Sequence, residues 1–161
     1  MNNCHMKHRW ILTLALLAAM TTVLAGTQPK FSLTPTTPTT ISLLSNATAT
    51  IKYTVTNNTK VTRTLTMKPI TGISQSTGGA GVCSNPFTLA QNQSCSLTLQ
   101  INGSQVASHI TSGPEICKTM SDGDNTPDPF LCSQPSQIDS LNITQVALST
   151  LSVSPEQLQI L

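Results

Sequence analysis

The stretch Ala47-Thr-Ala-Thr-Ile-Lys-Tyr-Thr-Val-Thr-Asn-Asn58, ATATIKYTVTNN, decides how the rest of this 161-residue chain is read. Ala49, Ile51, Tyr53 and Val55 fall on one face, and Thr48, Thr50, Lys52, Thr54 and Thr56 on the other. A period of two with β-branched residues on both faces predicts a half-buried strand. Asn57-Asn-Thr-Lys60 reads as a turn. Thr62 to Lys68 then repeats the alternation, with Leu65 and Met67 inward, until Pro69 stops it. Two such runs joined by a short Asn-rich turn predict a β-hairpin.

The same pattern continues in both directions. Phe87 and Leu89 point one way before the turn at Ala90-Gln-Asn-Gln93, and Cys95, Leu97, Leu99 and Ile101 alternate after it. That run ends at Asn102-Gly103, a turn dipeptide. Leu141 and Ile143 mark a last strand. Phe31-Ser-Leu-Thr-Pro35, followed by Pro38, predicts a strand at a sheet edge, because proline donates nothing to a ladder. No apolar stripe of helical period occurs outside the N-terminal segment. Short strands at this spacing predict an all-β sandwich. Its aromatic supply is thin: with Trp10 confined to the N-terminal segment, Tyr53, Phe31, Phe87 and Phe130 are all that the core can draw on. A core of Leu, Ile, Val and Ala gains from cross-links.

The N-terminus predicts export. Lys7, His8 and Arg9 form a basic start, Trp10 to Leu24 is an apolar run, and Val23-Leu24-Ala25 presents a signal-peptidase site. The apolar run is shorter than the ~20 residues of a spanning helix. Cys4 lies ahead of that run, where a lipid-anchoring cysteine does not occur. Removal of residues 1–25 leaves 136 of the 161, one domain's worth, starting at Gly26. Lys7 and Arg9 leave with the signal, so eight basic residues become six against six acidic ones. A chain of nearly zero net charge has no basic stripe for nucleic acid or an anionic membrane. The remaining charge is segregated, with Lys30, Lys52, Lys60, Arg63 and Lys68 early and Glu115, Asp122, Asp124, Asp128, Asp139 and Glu156 late. That split reads as a solvated, two-faced surface.

The expected mature chain keeps Cys83, Cys95, Cys117 and Cys132, an even set in an exported protein, which predicts disulfides. Four cysteines allow three pairings, and proximity favours Cys83–Cys95 and Cys117–Cys132. The first pair flanks the hairpin expected between Phe87 and Ile101. Zinc and redox sites both want Cys-x-x-Cys, which is missing, and the expected mature chain keeps one histidine, His109. No metal or other cofactor is assigned.

The residues Tyr53-Thr-Val-Thr-Asn57, Cys83, Phe87-Thr-Leu89-Ala90 and Ser94-Cys95-Ser-Leu97-Thr-Leu99 resemble the bacterial immunoglobulin-like domains of the ASPM/SPD-2/hydin and choice-of-anchor type. In that family a Y-x-V-x-N strand precedes a C…L-A-x-G-x-S-C-x-L-x-V hairpin. The resemblance runs from Phe31 to Ile101. It implies an immunoglobulin-like β-sandwich used for adhesion, spacing or partner binding, and it implies no catalytic residue. After Ile101 the sequence departs from the family, with a long segment that carries the second cysteine pair.

Two features carry residue types suited to chemistry. Asp122-Gly-Asp-Asn-Thr-Pro-Asp128 spaces oxygen ligands as calcium loops do, but lacks the glycine and the bidentate glutamate of an EF-hand. It reads as a polar turn within the Cys117–Cys132 ring. His109 has no nucleophile or carboxylate partner in any recognisable motif, and no Gly-x-Ser-x-Gly elbow exists. The expectation is therefore a signal-peptide helix over 1–25, an immunoglobulin-like sandwich with two local disulfides over 26–147, and a tail over 148–161. In the tail Leu151-Ser-Val-Ser-Pro155 echoes Phe31-Ser-Leu-Thr-Pro35, so it is either the first strand of a following repeat or a spare strand of this domain. Functionally, a non-enzymatic exported module, periplasmic or secreted, is expected, monomeric or weakly associated through an edge strand and binding a protein or cell-surface partner. A small secreted enzyme or inhibitor acting through the Asp-rich loop is the alternative.

Overall fold

The computed structural model describes residues 28–106, 108–121 and 123–147; the expected signal segment, the tail over 148–161 and Asp122 lie outside them. The first strands are β1 (Phe31–Pro35), β2 (Thr40–Leu44), β3 (Thr48–Asn57), β4 (Arg63–Met67), β5 (Ile73–Ser76) and β6 (Phe87–Leu89). They are followed by β7 (Ser94–Asn102), β8 (His109–Ile110), β9 (Ile116–Thr119), β10 (Pro127–Ser133) and β11 (Asn142–Val146). A 3-10 turn spans Gln137–Asp139, and the described residues contain no α-helix.

The strands form three sheets, ordered β1-β3-β7-β5, β10-β9-β4-β6 and β2-β11-β8. β3 is the spine of the first. It pairs with β1 from Phe31↔Asn57 to Pro35↔Tyr53, and with β7 from Thr48↔Asn102 to Thr56↔Ser94. Its alternation is the expected one, with Ile51, Tyr53 and Val55 buried and Thr48, Thr50 and Lys52 exposed. β1 has a neighbour on one side only, as its proline requires.

Both expected hairpins are corrected. β3 and β4 belong to different sheets, and so do β6 and β7. By crossing over, the second run brings its apolar face to the other sheet, where it is buried. Asn57 holds the corner. Its side chain is fully buried, and its Nδ2 donates to the carbonyls of Val61 and Leu89, each at 2.9 Å. Its Oδ1 accepts from the Thr59 amide at 2.9 Å and the Thr59 hydroxyl at 2.6 Å. One amide side chain thus supplies, at both crossings, the partners that a ladder would have supplied.

A single buried cluster draws on all three sheets: Phe31, Tyr53 and Leu97 from the first, Leu65, Phe87 and Ile116 from the second, Leu43 and Ile143 from the third. Each such side chain contributes about 1.5–3 kcal/mol by leaving water. Tyr53 also donates its hydroxyl to the Asp139 carbonyl at 2.8 Å. Phe130 corrects a second expectation. It is 94% exposed, so the core has three aromatics rather than four. Its neighbour Leu131 packs against the core and Ser133 is buried, so the alternation of β10 turns Phe130 to solvent.

The third sheet closes the domain by pairing β11 parallel to β2. The described chain therefore enters the fold at Phe31, opposite Asn57, and leaves it at Val146, opposite Leu44. Leu44 lies just before the start of β3 and Asn57 ends it. Nine steps of a strand separate those ends by roughly 30 Å. At the exit, Gly103 lies so close to the β2–β3 turn that a Cβ there would sit 2.2 Å from the Leu44 carbonyl oxygen. Only glycine fits.

Candidate functional site

The two disulfides pair as proximity favours: Cys83 with Cys95, Cα atoms 5.2 Å apart, and Cys117 with Cys132, 3.9 Å apart. Two intramolecular disulfides are typical of exported proteins. Cys83 does not sit on a hairpin arm. Its amide donates to the Ser96 carbonyl and the Ser96 amide donates to that of Gly81, so this segment runs along β7 within the first sheet. Gln75 secures it by donating from Nε2 to the carbonyls of Cys83 and Ser84, at 2.9 and 2.8 Å. Cys117 and Cys132 face each other directly across β9 and β10.

Glu115, Cys117 and Cys132 bring ligand-type atoms within 4.8 Å of one another. Both sulfurs are consumed in the disulfide, and the Glu115 carboxylate pairs with Lys68 at 3.1 Å. Cysteine ligates a metal as its thiolate and the disulfide offers none, so this group does not fit one. The Asp-rich loop also turns inward on itself. Asp124 Oδ1 accepts from the Thr126 hydroxyl at 2.9 Å and the Thr126 amide at 3.1 Å, and Asp128 Oδ1 accepts from the Phe130 amide at 3.0 Å. The Thr126 hydroxyl first, then the Thr126 amide, holds the Asp124 carboxyl below its ordinary range. These are turn-forming bonds, and they aim the carboxylates at their own backbone. His109, exposed on β8, shares a 2.9 Å hydrogen bond between its Nε2 and Asn142 Oδ1. The Asp loop and His109 are not brought together into one site.

The structure does assemble a different group. At the pole where the chain enters, Lys30, Lys60 and Arg63 line an open cleft of about 470 Å³, together with Gln28, Asn58 and Leu131. Lys30 is brought there by the first β1–β3 pair and by the Asn58 amide, which donates to the Lys30 carbonyl at 3.0 Å. Lys60 arrives on the loop that Asn57 braces, and Arg63 opens β4 directly after it. Leu131, from β10, forms an apolar wall. Among the described residues no carboxylate lines the cleft. In the sequence these three belong to the early basic residues, and nothing local distinguishes them from Lys52 and Lys68. Their signal was that Glu115 is the first acidic residue in the whole chain.

No protein-family model matches the chain, and no curated protein is similar to it.

Proposed function

We propose that this protein is an exported, non-enzymatic module of the immunoglobulin-like β-sandwich type, periplasmic or secreted, that serves adhesion, spacing or partner binding. The observation that carries the reading is the placement of the chain's passage: in at Phe31 and out at Val146, at opposite ends of β3. A unit threaded from pole to pole extends a string of such units end to end, whereas one with adjacent ends makes a side branch. The β1-β3-β7-β5 order further supports the immunoglobulin-like assignment, since it follows the A-B-E-D sheet of those domains. The two disulfides support export. The echo of Phe31–Pro35 in Leu151–Pro155 fits a strand that begins a following unit.

The test is a tandem of two copies, joined through residues 148–161, measured by small-angle scattering beside the single copy. The maximum dimension should nearly double. A compact, side-by-side pair sinks the spacer reading. Intact mass of the protein made in its own host checks export separately, with Gly26 as the expected first residue.

A further inference from the structure

Among the described residues two shielded side-chain atoms have no hydrogen-bond partner, Arg63 Nε and Gln75 Oε1, and Arg63 is the charged one. It opens β4, and its Nε is shielded from solvent without a hydrogen-bond partner. A guanidinium carries five N–H donors and no acceptor, and a shielded donor left unmatched is rare in folded proteins. Several carbonyls nearby in the chain already accept a side-chain hydrogen bond from another residue. Val61 O receives both Asn57 Nδ2 and Thr59 Oγ1, and Leu89 O and Ala90 O receive Asn57 Nδ2. Pro29 O receives Asn58 Nδ2.

The charge around it is also unmatched. Lys30 and Lys60 share the cleft, and the ion pair found among the described residues, Lys68–Glu115, is elsewhere. Nothing in the chain before Glu115 carries a negative charge. Three cations therefore converge on one cleft with no internal anion, in a chain whose expected mature form is close to neutral. Such a cleft attracts an oxyanion, and the planar guanidinium fork matches one with paired hydrogen bonds.

The cleft is larger than a bare ion needs. At about 470 Å³ it falls in the range of small-molecule sites. Its remaining lining includes the Gln28 amide, suited to hydroxyl groups, and the apolar side of Leu131. An extended peptide would need free backbone groups along a strand edge. Here the Asn58 and Thr59 amides are spent on Lys30 O and Asn57 Oδ1. We infer that this cleft binds an acidic saccharide, a sugar unit bearing a carboxylate or sulfate, with Arg63 receiving the oxyanion and Lys30 and Lys60 flanking it. The inference deepens the adhesion side of the proposed function and rests on it, but the spacer test can succeed while this one fails.

The experiment is an amide chemical-shift titration of the oxidised protein with oligogalacturonate, a sulfated disaccharide, inorganic sulfate, a neutral glucose oligomer and tetraglutamate. An acidic saccharide should saturate, moving the amides of Lys30, Asn58 to Arg63 and Leu131, and added salt should weaken it. Arg63→Gln should lower its affinity tenfold or more while leaving the melting temperature unchanged or higher, because the unmatched donor is gone. Lys60→Gln, on an exposed loop, should cost about threefold, and Lys52→Gln, on the outer face of β3, nothing. Carboxylated against sulfated sugar then identifies the oxyanion. Saturation by the neutral oligomer, equal binding of bare sulfate, preference for tetraglutamate, or silence toward every acidic sugar would each overturn the inference. So would a Lys52→Gln effect as large as that of Arg63→Gln.

Discussion

The two disulfide rings are nearly the same length, with cysteines 12 and 15 residues apart, yet the chain does opposite things inside them. Between Cys83 and Cys95 it leaves the first sheet, lays Phe87 and Leu89 into the core as β6 of the second, and returns. Between Cys117 and Cys132 it makes an excursion outward, with Phe130 almost fully in solvent. In the unfolded chain the two staples restrict loops of similar size, so they stabilise by similar amounts. In the folded chain the first holds a crossing between sheets, and the second reinforces a strand pair already held by its ladder. Ring length decides how much a disulfide stabilises, and ring contents decide what opens when it is cut.

The largest test of that contrast is inside the first ring. Phe87→Ala should cost about 4 kcal/mol in chemical denaturation, the usual range for a buried phenylalanine. A cost below about 1 kcal/mol would show that the crossing is loosely packed. Next come the staples themselves. Cys83→Ala with Cys95→Ala, and Cys117→Ala with Cys132→Ala, should each cost about 3 kcal/mol by loop entropy. Their hydrogen-exchange footprints should differ: the first pair deprotects 77–89 and the neighbouring end of β7, the second only 120–131. Identical footprints would erase the contrast.

Asn57→Ala should cost roughly 2 kcal/mol, since it removes the side-chain donor from the buried Leu89 carbonyl at the turn into β7 and has no counterpart at the second ring. Loss of protection should centre on Ala90 to Ser94. Tyr53→Phe should cost about 1 kcal/mol, one hydrogen bond to Asp139 just beyond the second ring. It should also change the alkaline limb. Burial first, then the Asp139 charge, pushes the Tyr53 phenol above its ordinary range, so folding favours the neutral form. The associated stabilisation is complete below the unfolded value of about 10 and drains as pH rises past it toward the folded value. Tyr53 is the chain's one tyrosine, so its phenolate absorbance should appear only as the protein unfolds. A phenolate signal in the folded protein near pH 10 contradicts this, and Tyr53→Phe should flatten stability there. Smallest of all, Phe130→Ala in the second ring should stay within about 0.5 kcal/mol of the parent.

The sequence by itself determined the local properties. A period of two marked the inner and outer faces of β3 and β7, proline marked β1 as an edge, and short spacing favoured the cysteine pairing that forms. Each follows from residues within about a dozen positions of one another, so each is written in a window. What covers an apolar face is not written there. Leu65 needed an apolar face to bury against, but alternation alone does not say whether that face is its neighbour's sheet or the opposite one, and so two hairpins were expected where two crossings exist. Composition counts Phe130 toward the core because it does not say which face of β10 is covered, and the covered face is that of Leu131 and Ser133. Asn57 read as a turn residue, and its role as the brace between two distant loops depends on Leu89 arriving beside it. The cationic cleft is the same case: Lys30 meets Lys60 and Arg63 only because Phe31 pairs with Asn57, a long-range choice made by the packing of whole sheets.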